Sequence, residues 1–324
     1  MLYIFFGMGG VSMDVNVTVI GTVFMDCKGS AGQHYNPQGR NLGNIEFVHG
    51  GVARNVAENL AKLALPTTFV SSVDKTAIGE EVLQRLAESG VDTKYVDAVE
   101  GRGMGMWLVV LDEHGDLAGS ISQMPRLDVL ETMLGSKGKA FIAKASHVVL
   151  ELDLNESITK KALALAKANK KPVYGIPGNL DVICHNLDIL TGMDCFICND
   201  IEAGRLLGTE FAKRSVEEMQ QELRRFVERT GLKAMVITLG SKGSIYYDAA
   251  NGMSGYQDVF PVEMVDSSGA GDAFFSGTVM GLMRNFSLAQ SVVFGSKIAA
   301  WTIESRESNC RDLETRMQQE ALFN

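Results

Sequence analysis

The chain has 324 residues, enough to bury a large core, and its 46% hydrophobic and 21% charged residues are those of an ordinary globular protein. A formal charge of −9 argues against a surface that coats nucleic acid, and no apolar run approaches the ~18 residues that a membrane helix needs. Five cysteines, an odd number at irregular spacing, make no disulfide framework and fit a reducing, cytoplasmic setting.

The opening M-L-Y-I-F-F is apolar but short, with no basic segment and no clear cleavage site. Residues 1–12 are therefore expected to be peripheral, with Met13 an alternative start. Residues 16–23 (N-V-T-V-I-G-T-V) are a β-branched run that predicts a buried strand. Asp26 lies just past it, where open α/β sheets bind ligands, although a solvated turn aspartate would look the same. Residues 29–43, rich in Gly, Asn, Gln and Pro, read as a loop, and 44–49 as a short strand leading into Gly50-Gly51. A helix follows with apolar positions Val52, Val56, Leu60 and Leu63; Asn55, in its first turn, can reach a ligand held over the two glycines.

Residues 67–73 predict a strand and 78–89 a helix stopped by Gly90. Residues 104–111 and 117–123 predict a hairpin around the polar turn D-E-H-G-D. With residues 44–50 this hairpin makes either a small separate sheet or an antiparallel edge of the main one. From residue 147 onward strands (147–152, 172–176, 194–198, 234–239) alternate with helices (158–168, from 201, 216–230). That alternation predicts an α/β fold: a doubly wound, mostly parallel sheet flanked by helices, one domain over 1–324 with a small β excursion at about 44–50 and 104–123. Cys195 and Cys198 look like a metal or redox pair, but residues three apart on a strand point to opposite faces, so the thiols are expected to diverge into core.

The stretch richest in chemistry is 265–277, V-D-S-S-G-A-G-D-A-F-F-S-G. Up to Asp266 it reads as extended, and from Ala270 as helix. Gly269, Ala270 and Gly271 let a ligand approach the backbone and leave N–H groups free at a helix start, which makes an anion site. Asp272 in the first turn would be repelled by a bound phosphate. Taking the proton from a hydroxyl that attacks that phosphate would explain its presence; so would an acid stabilising its own helix.

The nonapeptide D-S-S-G-A-G-D-A-F (266–274) resembles the C-terminal signature of the ribokinase-like (PfkB) carbohydrate and nucleoside kinases, with Ser267 for the usual Thr. G-G-V-A-R-N-V-A-E (50–58) resembles their N-terminal signature, in the form associated with pseudouridine kinases. The two stand over 200 residues apart in the order the family requires. The resemblance implies an ATP-dependent kinase acting on a primary hydroxyl, with Asp272 as base and Gly269, Ala270 and Gly271 as anion hole. Asp26, Gly50, Gly51 and Asn55 would hold the acceptor. Asn199 and Glu202 would organise water around Mg²⁺ and the nucleotide phosphates, although Asn199 or Asp200 as a plain helix cap fits equally well. Thr238, Gly240 and Gly243 match a nucleotide loop, or a hairpin turn into 244–247. Lys297, with Ser296, Ala299 and Ala300 on the last helix, falls where the family lines its adenine pocket. In many relatives K⁺ is held by backbone carbonyls, here those of Asp266 and Ser268. The β excursion would be a lid over the substrate and a surface for homodimerisation.

Two departures bear on the acceptor. Phe24 stands where many sugar kinases of this kind carry Asn, and I-P-G-N (176–179) lacks the Asp of their D-P-N segment. A phenyl ring there favours a nucleoside, with pseudouridine first and ribose or another ketose or aldose, as in ribokinases and fructokinases, second. A ligand-sensing protein on the same fold would be expected to lose the base, yet Asp272 is present. A dehydrogenase would need G-x-G-x-x-G after the first strand, which is absent.

Overall fold

The computed structural model describes residues 15–152, 154–178 and 180–323; the segment 1–12, Met13 and Asn179 lie outside the described residues. In chain order the strands are β1 (Val17–Ile20), β2 (Phe24–Ala31), β3 (Gly43–Gly50), β4 (Thr67–Asp74), β5 (Val91–Val99), β6 (Gly105–Leu111), β7 (Leu117–Gln123), β8 (His147–Glu151), β9 (Val173–Ile176), β10 (Cys195–Asn199), β11 (Ala234–Thr238), β12 (Ser244–Asp248) and β13 (Met253–Gln257). The helices are α1 (Val52–Lys62), α2 (Ala77–Glu88), α3 (Leu127–Lys144), α4 (Glu156–Ala168), α5 (Asp181–His185), α6 (Asp200–Leu207), α7 (Val216–Thr230), α8 (Ala270–Met283), α9 (Leu288–Ile303) and α10 (Leu313–Gln319).

Among the described residues the strands form two sheets, one in the order β13-β12-β11-β10-β9-β8-β1-β4-β5 and a second in the order β3-β2-β6-β7. β1 is buried at every position, which is why it reads as a continuous apolar run rather than an alternating one. It pairs in parallel with β4 and β8. The chain builds outward on one side of β1 and then returns to build on the other. The order therefore reverses between β1 and β8, and the strand C-termini there frame a ligand crevice. Among the described strands of the large sheet only β12 runs against the others, pairing antiparallel with β11 and β13.

Helices cover both faces of this sheet. One layer packs α1, α2, α8 and α9 on Val17, Val19 and Val236; the other packs α3, α4 and α7 on Ile20, Val148 and Met235. Cys195 belongs to the first layer and Cys198 to the second, so the thiols do diverge, and all five cysteines are free. Among the described residues no helix is long and apolar enough to cross a membrane.

Several elements depart from the expectations. Phe24–Ala31, taken as strand end and loop, is the central strand of the second sheet, antiparallel to β3 and parallel to β6. Residues 258–266 are irregular rather than extended in a sheet, and α9 is followed by α10. The small sheet is separate, not an edge of the main one, and has two unlike faces. Residues paired across strands point the same way, so Phe24, Asp26, Trp107 and the buried Val109 share one face. Ile45, Phe47, Met106, Leu108 and Ile121 share the other and are exposed.

Candidate active site

The start of α8 is shaped by Gly269, which caps the helix at φ 75°. A Cβ there would lie 2.0 Å from the Ser308 carbonyl oxygen, so neither conformation nor space admits a side chain. Gly271 is different: its φ is not positive and a Cβ would meet only open space. The expected trio of amides needs correcting. The Ala270 N–H donates to the Ser267 carbonyl at 3.2 Å, whereas among the described residues the N–H groups of Gly269, Gly271 and Asp272 have no acceptor.

Asp272, in the first turn of α8, accepts a 2.7 Å hydrogen bond from Asn55 Nδ2 of α1. Burial pushes its carboxyl up to about 7; the Asn55 bond and the Arg54 charge pull it down, and the Glu202 charge adds to the rise. A carboxylate poised near neutrality suits proton transfer at working pH. The other end of the Asn55 amide, Oδ1, accepts from Arg54 Nη2. Arg54 is almost wholly buried, and donates to the carbonyls of Gly50 (3.0 Å) and His49 (2.6 Å) and to Glu58 (2.5 Å). α1 itself starts from Gly51 at φ 97°, where a Cβ would come within 2.9 Å of the Thr22 carbonyl and the Phe24 amide. The glycine lets this helix abut the turn from β1 into β2.

Asp26 was expected beyond a strand of the main sheet; it lies instead on β2, its carboxylate against Gly50. A Cβ at Gly50 would be 2.7 and 2.8 Å from its two oxygens. Burial raises the Asp26 carboxyl above the ordinary range, against the charges of Lys28 and Arg54. Two residues away on the same face, the Phe24 ring lies on Gly105, where a Cβ would be 2.4 to 2.6 Å from it. His49, beside Gly50, turns its ring to Glu81 at 3.0 Å.

At the far side of the crevice Asn199 and Thr238 are register partners at the ends of β10 and β11. Asn199 and Glu202 form a capping box: Glu202 N–H donates to Asn199 Oδ1 and Asn199 N–H to Glu202 Oε2, both at 2.8 Å. Gly240 (φ 59°) opens a short 3₁₀ turn facing open space, while a Cβ on Gly243 would lie 2.1 Å from the Gln257 carbonyl of β13. The hairpin therefore explains Gly243 fully and Gly240 only in part. Lys297 is tied to Glu320 at 2.7 Å and lies over the rings of Phe260 and Trp301.

Comparison with known proteins identifies the family. The pattern of the pfkB family carbohydrate kinases matches residues 14–316. The chain is 34% identical to the guanosine-inosine kinase of Exiguobacterium acetylicum over 292 residues, 90% of this chain and 95% of that one. It belongs to the pfkB family. Against the pseudouridine kinase of Escherichia coli the identity is 27% over 92% of this chain and 93% of that one. Among solved structures, the Arabidopsis thaliana ribokinase complexed with ribose and ATP superposes with a TM-score of 0.80 at 21% identity, covering 94% of this chain and 98% of that one. The Giardia lamblia ribokinase gives 0.81 at 20%, covering 95% and 99%. These two show the ribokinase-like fold. The chain is thus a carbohydrate or nucleoside kinase, a phosphotransferase with an alcohol group as acceptor.

Three residues of this pfkB kinase's crevice escaped the sequence. Arg54 precedes Glu58 by four, a spacing that looks like a solvated helix pair. Glu151 ends the apolar run of β8, yet its buried carboxylate accepts from the Thr22 amide at 2.5 Å and hydroxyl at 2.9 Å, fixing the β1–β2 turn. Trp107 reads as one more apolar strand residue, and only the pairing with Asp26 puts it on the Asp26 face of the small sheet.

Proposed function

We propose that this kinase phosphorylates the primary hydroxyl of a nucleoside, with a purine nucleoside such as guanosine or inosine the leading acceptor and pseudouridine the second. The observation that carries this is the inner face of the lid. Phe24 and Trp107 flank Asp26 there, so aromatic surface stands beside the carboxylate where a bare sugar would call for polar groups. The likeness to a guanosine-inosine kinase supports the purine nucleoside, and the form of the 50–58 motif supports pseudouridine.

In this mechanism Asp26, Gly50 and Gly51 hold the acceptor, and Asp272, positioned by Asn55, takes its hydroxyl proton. The open amides at Gly269, Gly271 and Asp272 receive the oxygens of the transferring phosphoryl group. Kinases of this fold use ATP, typically with Mg²⁺; the donor would lie across the ends of β10 and β11, over Thr238 and Gly240, toward Lys297. Among the described residues no three acidic, His or Cys side chains could hold a metal by themselves. The free Glu202 oxygen would therefore hold Mg²⁺ through water and the nucleotide phosphates, where the ion neutralises leaving charge. A potassium ion fits beside the turn. The carbonyls of Asp266 and Ser268 accept no hydrogen bond among the described residues, and the fully buried Asn309, next to Ser308, leaves Oδ1 and Nδ2 unpaired. The exposed apolar face of the lid (Ile45, Phe47, Leu108, Ile121) suits pairing of two copies, and free thiols suit a reducing compartment.

The test measures kcat/KM for guanosine, inosine, pseudouridine and ribose with ATP and Mg²⁺, scored by ADP release. Nucleosides should exceed ribose, and Phe24→Ala should cut that preference by roughly 5- to 150-fold, the scale of about 1–3 kcal/mol for base–aromatic stacking. Preference for ribose in the wild type would overturn the nucleoside assignment. An unchanged ratio in Phe24→Ala with a lowered Tm would make Phe24 a packing residue.

A further inference from the structure

We propose that Arg54 is a positioning residue: it fixes which end of the Asn55 amide faces Asp272. The inference rests on Asp272 being the base. An amide presents an acceptor at one end and donors at the other, and a guanidinium presents donors only. Because Arg54 Nη2 donates to Asn55, the Asn55 oxygen must turn toward Arg54 and its nitrogen toward Asp272, where it donates at 2.7 Å. A donor aimed at a carboxylate favours the ionised, proton-accepting form. With the amide turned over, two oxygens would meet unless Asp272 kept its proton, and a protonated Asp272 cannot serve as base.

Arg54 is held so that it cannot turn away. Its Nε is bound to the Gly50 carbonyl, its Nη2 to the His49 carbonyl and its Nη1 to Glu58. Glu58 is anchored in turn by Lys62 (3.0 Å), Arg85 (3.3 Å) and Ser89 (3.2 Å), and Arg85 reaches Glu307 at 3.1 Å. Around Asp272 the charged groups are few. Arg54 faces it from α1 and Glu202 from α6, Asp26 faces Arg54 from the lid, and Lys297 of α9 is engaged by Glu320. A buried arginine on an apolar helix face, four residues before a buried glutamate, could be a core ion pair and nothing more. The bonds to Asn55 and Gly50 give it a further consequence.

The experiment compares kcat against pH for wild type, Arg54→Met, Arg54→Lys, Asp272→Asn and, as a control, Arg284→Met. Arg284 is a cation at the C-terminal end of α8 that donates to the Leu63 carbonyl after α1 and does not act on Asp272. Arg54→Met should lower kcat near neutral pH by about 10- to 100-fold, the scale of a misplaced catalytic group. Its acid limb should move up by about one pH unit, with activity recovering at alkaline pH where Asp272 ionises regardless. Arg54→Lys, still a donor-only side chain, should restore part of the shift. Arg284→Met should lower Tm and leave the limb in place. If Arg54→Met does not fold, Arg54→Met/Glu58→Met also removes the buried carboxylate that Arg54 pairs with and is scored the same way. An Arg54 variant with a lowered Tm and the wild-type limb overturns the proposal. Turnover retained by Asp272→Asn would instead show that Asp272 is not the base, which separates that failure from a failure at Arg54.

Discussion

The N-termini of α6 and α8 lie within electrostatic reach of each other and are finished in opposite ways. α6 is closed by its own residues, with Asn199 and Glu202 each accepting the other's amide. α8 begins at a left-handed glycine with no side-chain cap, leaves the amides of Gly271 and Asp272 open, and sets a carboxylate among them. α7 and α9 are also closed by capping boxes, whereas α1 starts from a positive-φ glycine without a side-chain cap, as α8 does. The two glycine-started helices are the pair that Asn55 and Asp272 join. A helix that caps itself is stable without a ligand. One that leaves donors bare beside a half-buried acid has set aside some of its own stability for binding, and that is where the proposed chemistry is placed.

The most damaging way to break the contrast is at the acid. Asp272→Asn keeps the shape and the Asn55 contact, so substrate affinity should hold within a few-fold while kcat falls by about 10² to 10⁴. In the wild type kcat should rise with pH through about 7 as Asp272 ionises. Stability should move the other way. The folded chain holds a proton that the unfolded chain releases between the ordinary aspartate pKa of about 3.9 and about 7. Stability from this group therefore declines as pH rises across that window and is level above it. Denaturant melts at several pH values should show the slope reduced in Asp272→Asn; identical slopes in both proteins would mean that Asp272 is not perturbed.

The two glycines of the turn sharpen the contrast by failing differently. Gly271→Val points a branched side chain into the open space over the bare amides, so kcat should drop by about 10²-fold, the scale of losing an oxyanion donor, with little change in Tm. Gly269→Ala meets the Ser308 carbonyl and an unfavourable φ, so its first effect should be a stability loss of about 1–3 kcal/mol. Equal Tm losses in the two variants would show that Gly271, too, is structural.

The extent to which the sequence foretold this follows from where each signal resides. α1 and α7 carry strong helical periodicity and β1 a continuous β-branched apolar run, so all three were legible in the sequence, as were both kinase signatures. β2 was missed because Phe24–Ala31 alternates weakly and ends in Lys, Gly, Ser and Ala; what makes it a strand is pairing with β3 and β6, which local composition does not encode. α3 was missed because Gly135 and Gly138 dilute its pattern; Gly138 sits under the Leu165 side chain, whose Cδ1 would lie 2.8 Å from a Cβ there. At the site, Asp272 and Asn55 were visible as motif letters, but their contact is 217 residues long in sequence. Arg54 and Glu151 were hidden for the converse reason: a charge inside an apolar pattern looks like surface until burial shows its partners.

The smallest expected effects test whether the closed helix contributes to catalysis at all. Asn199→Ala removes the side-chain acceptor for the Glu202 amide and should cost about 1 kcal/mol of stability, as loss of an N-cap does. Glu202→Gln is gentler, because Gln can still accept the Asn199 amide and preserve the capping box; Tm should stay near that of the wild type. Only the charge is lost, and that charge raises Asp272. The acid limb of kcat should therefore move down by a fraction of a unit, opposite in sign to the shift expected for Arg54→Met. If Glu202 also holds Mg²⁺ through water, the Mg²⁺ concentration for half-maximal activity should rise several-fold in Glu202→Gln and stay unchanged in Asn199→Ala once the protein is folded. Titrating Mg²⁺ at fixed ATP in the two variants, with Tm measured alongside, separates these roles. An unchanged Mg²⁺ requirement in Glu202→Gln would leave α6 as a self-capped helix that influences the reaction only through the field it places on Asp272.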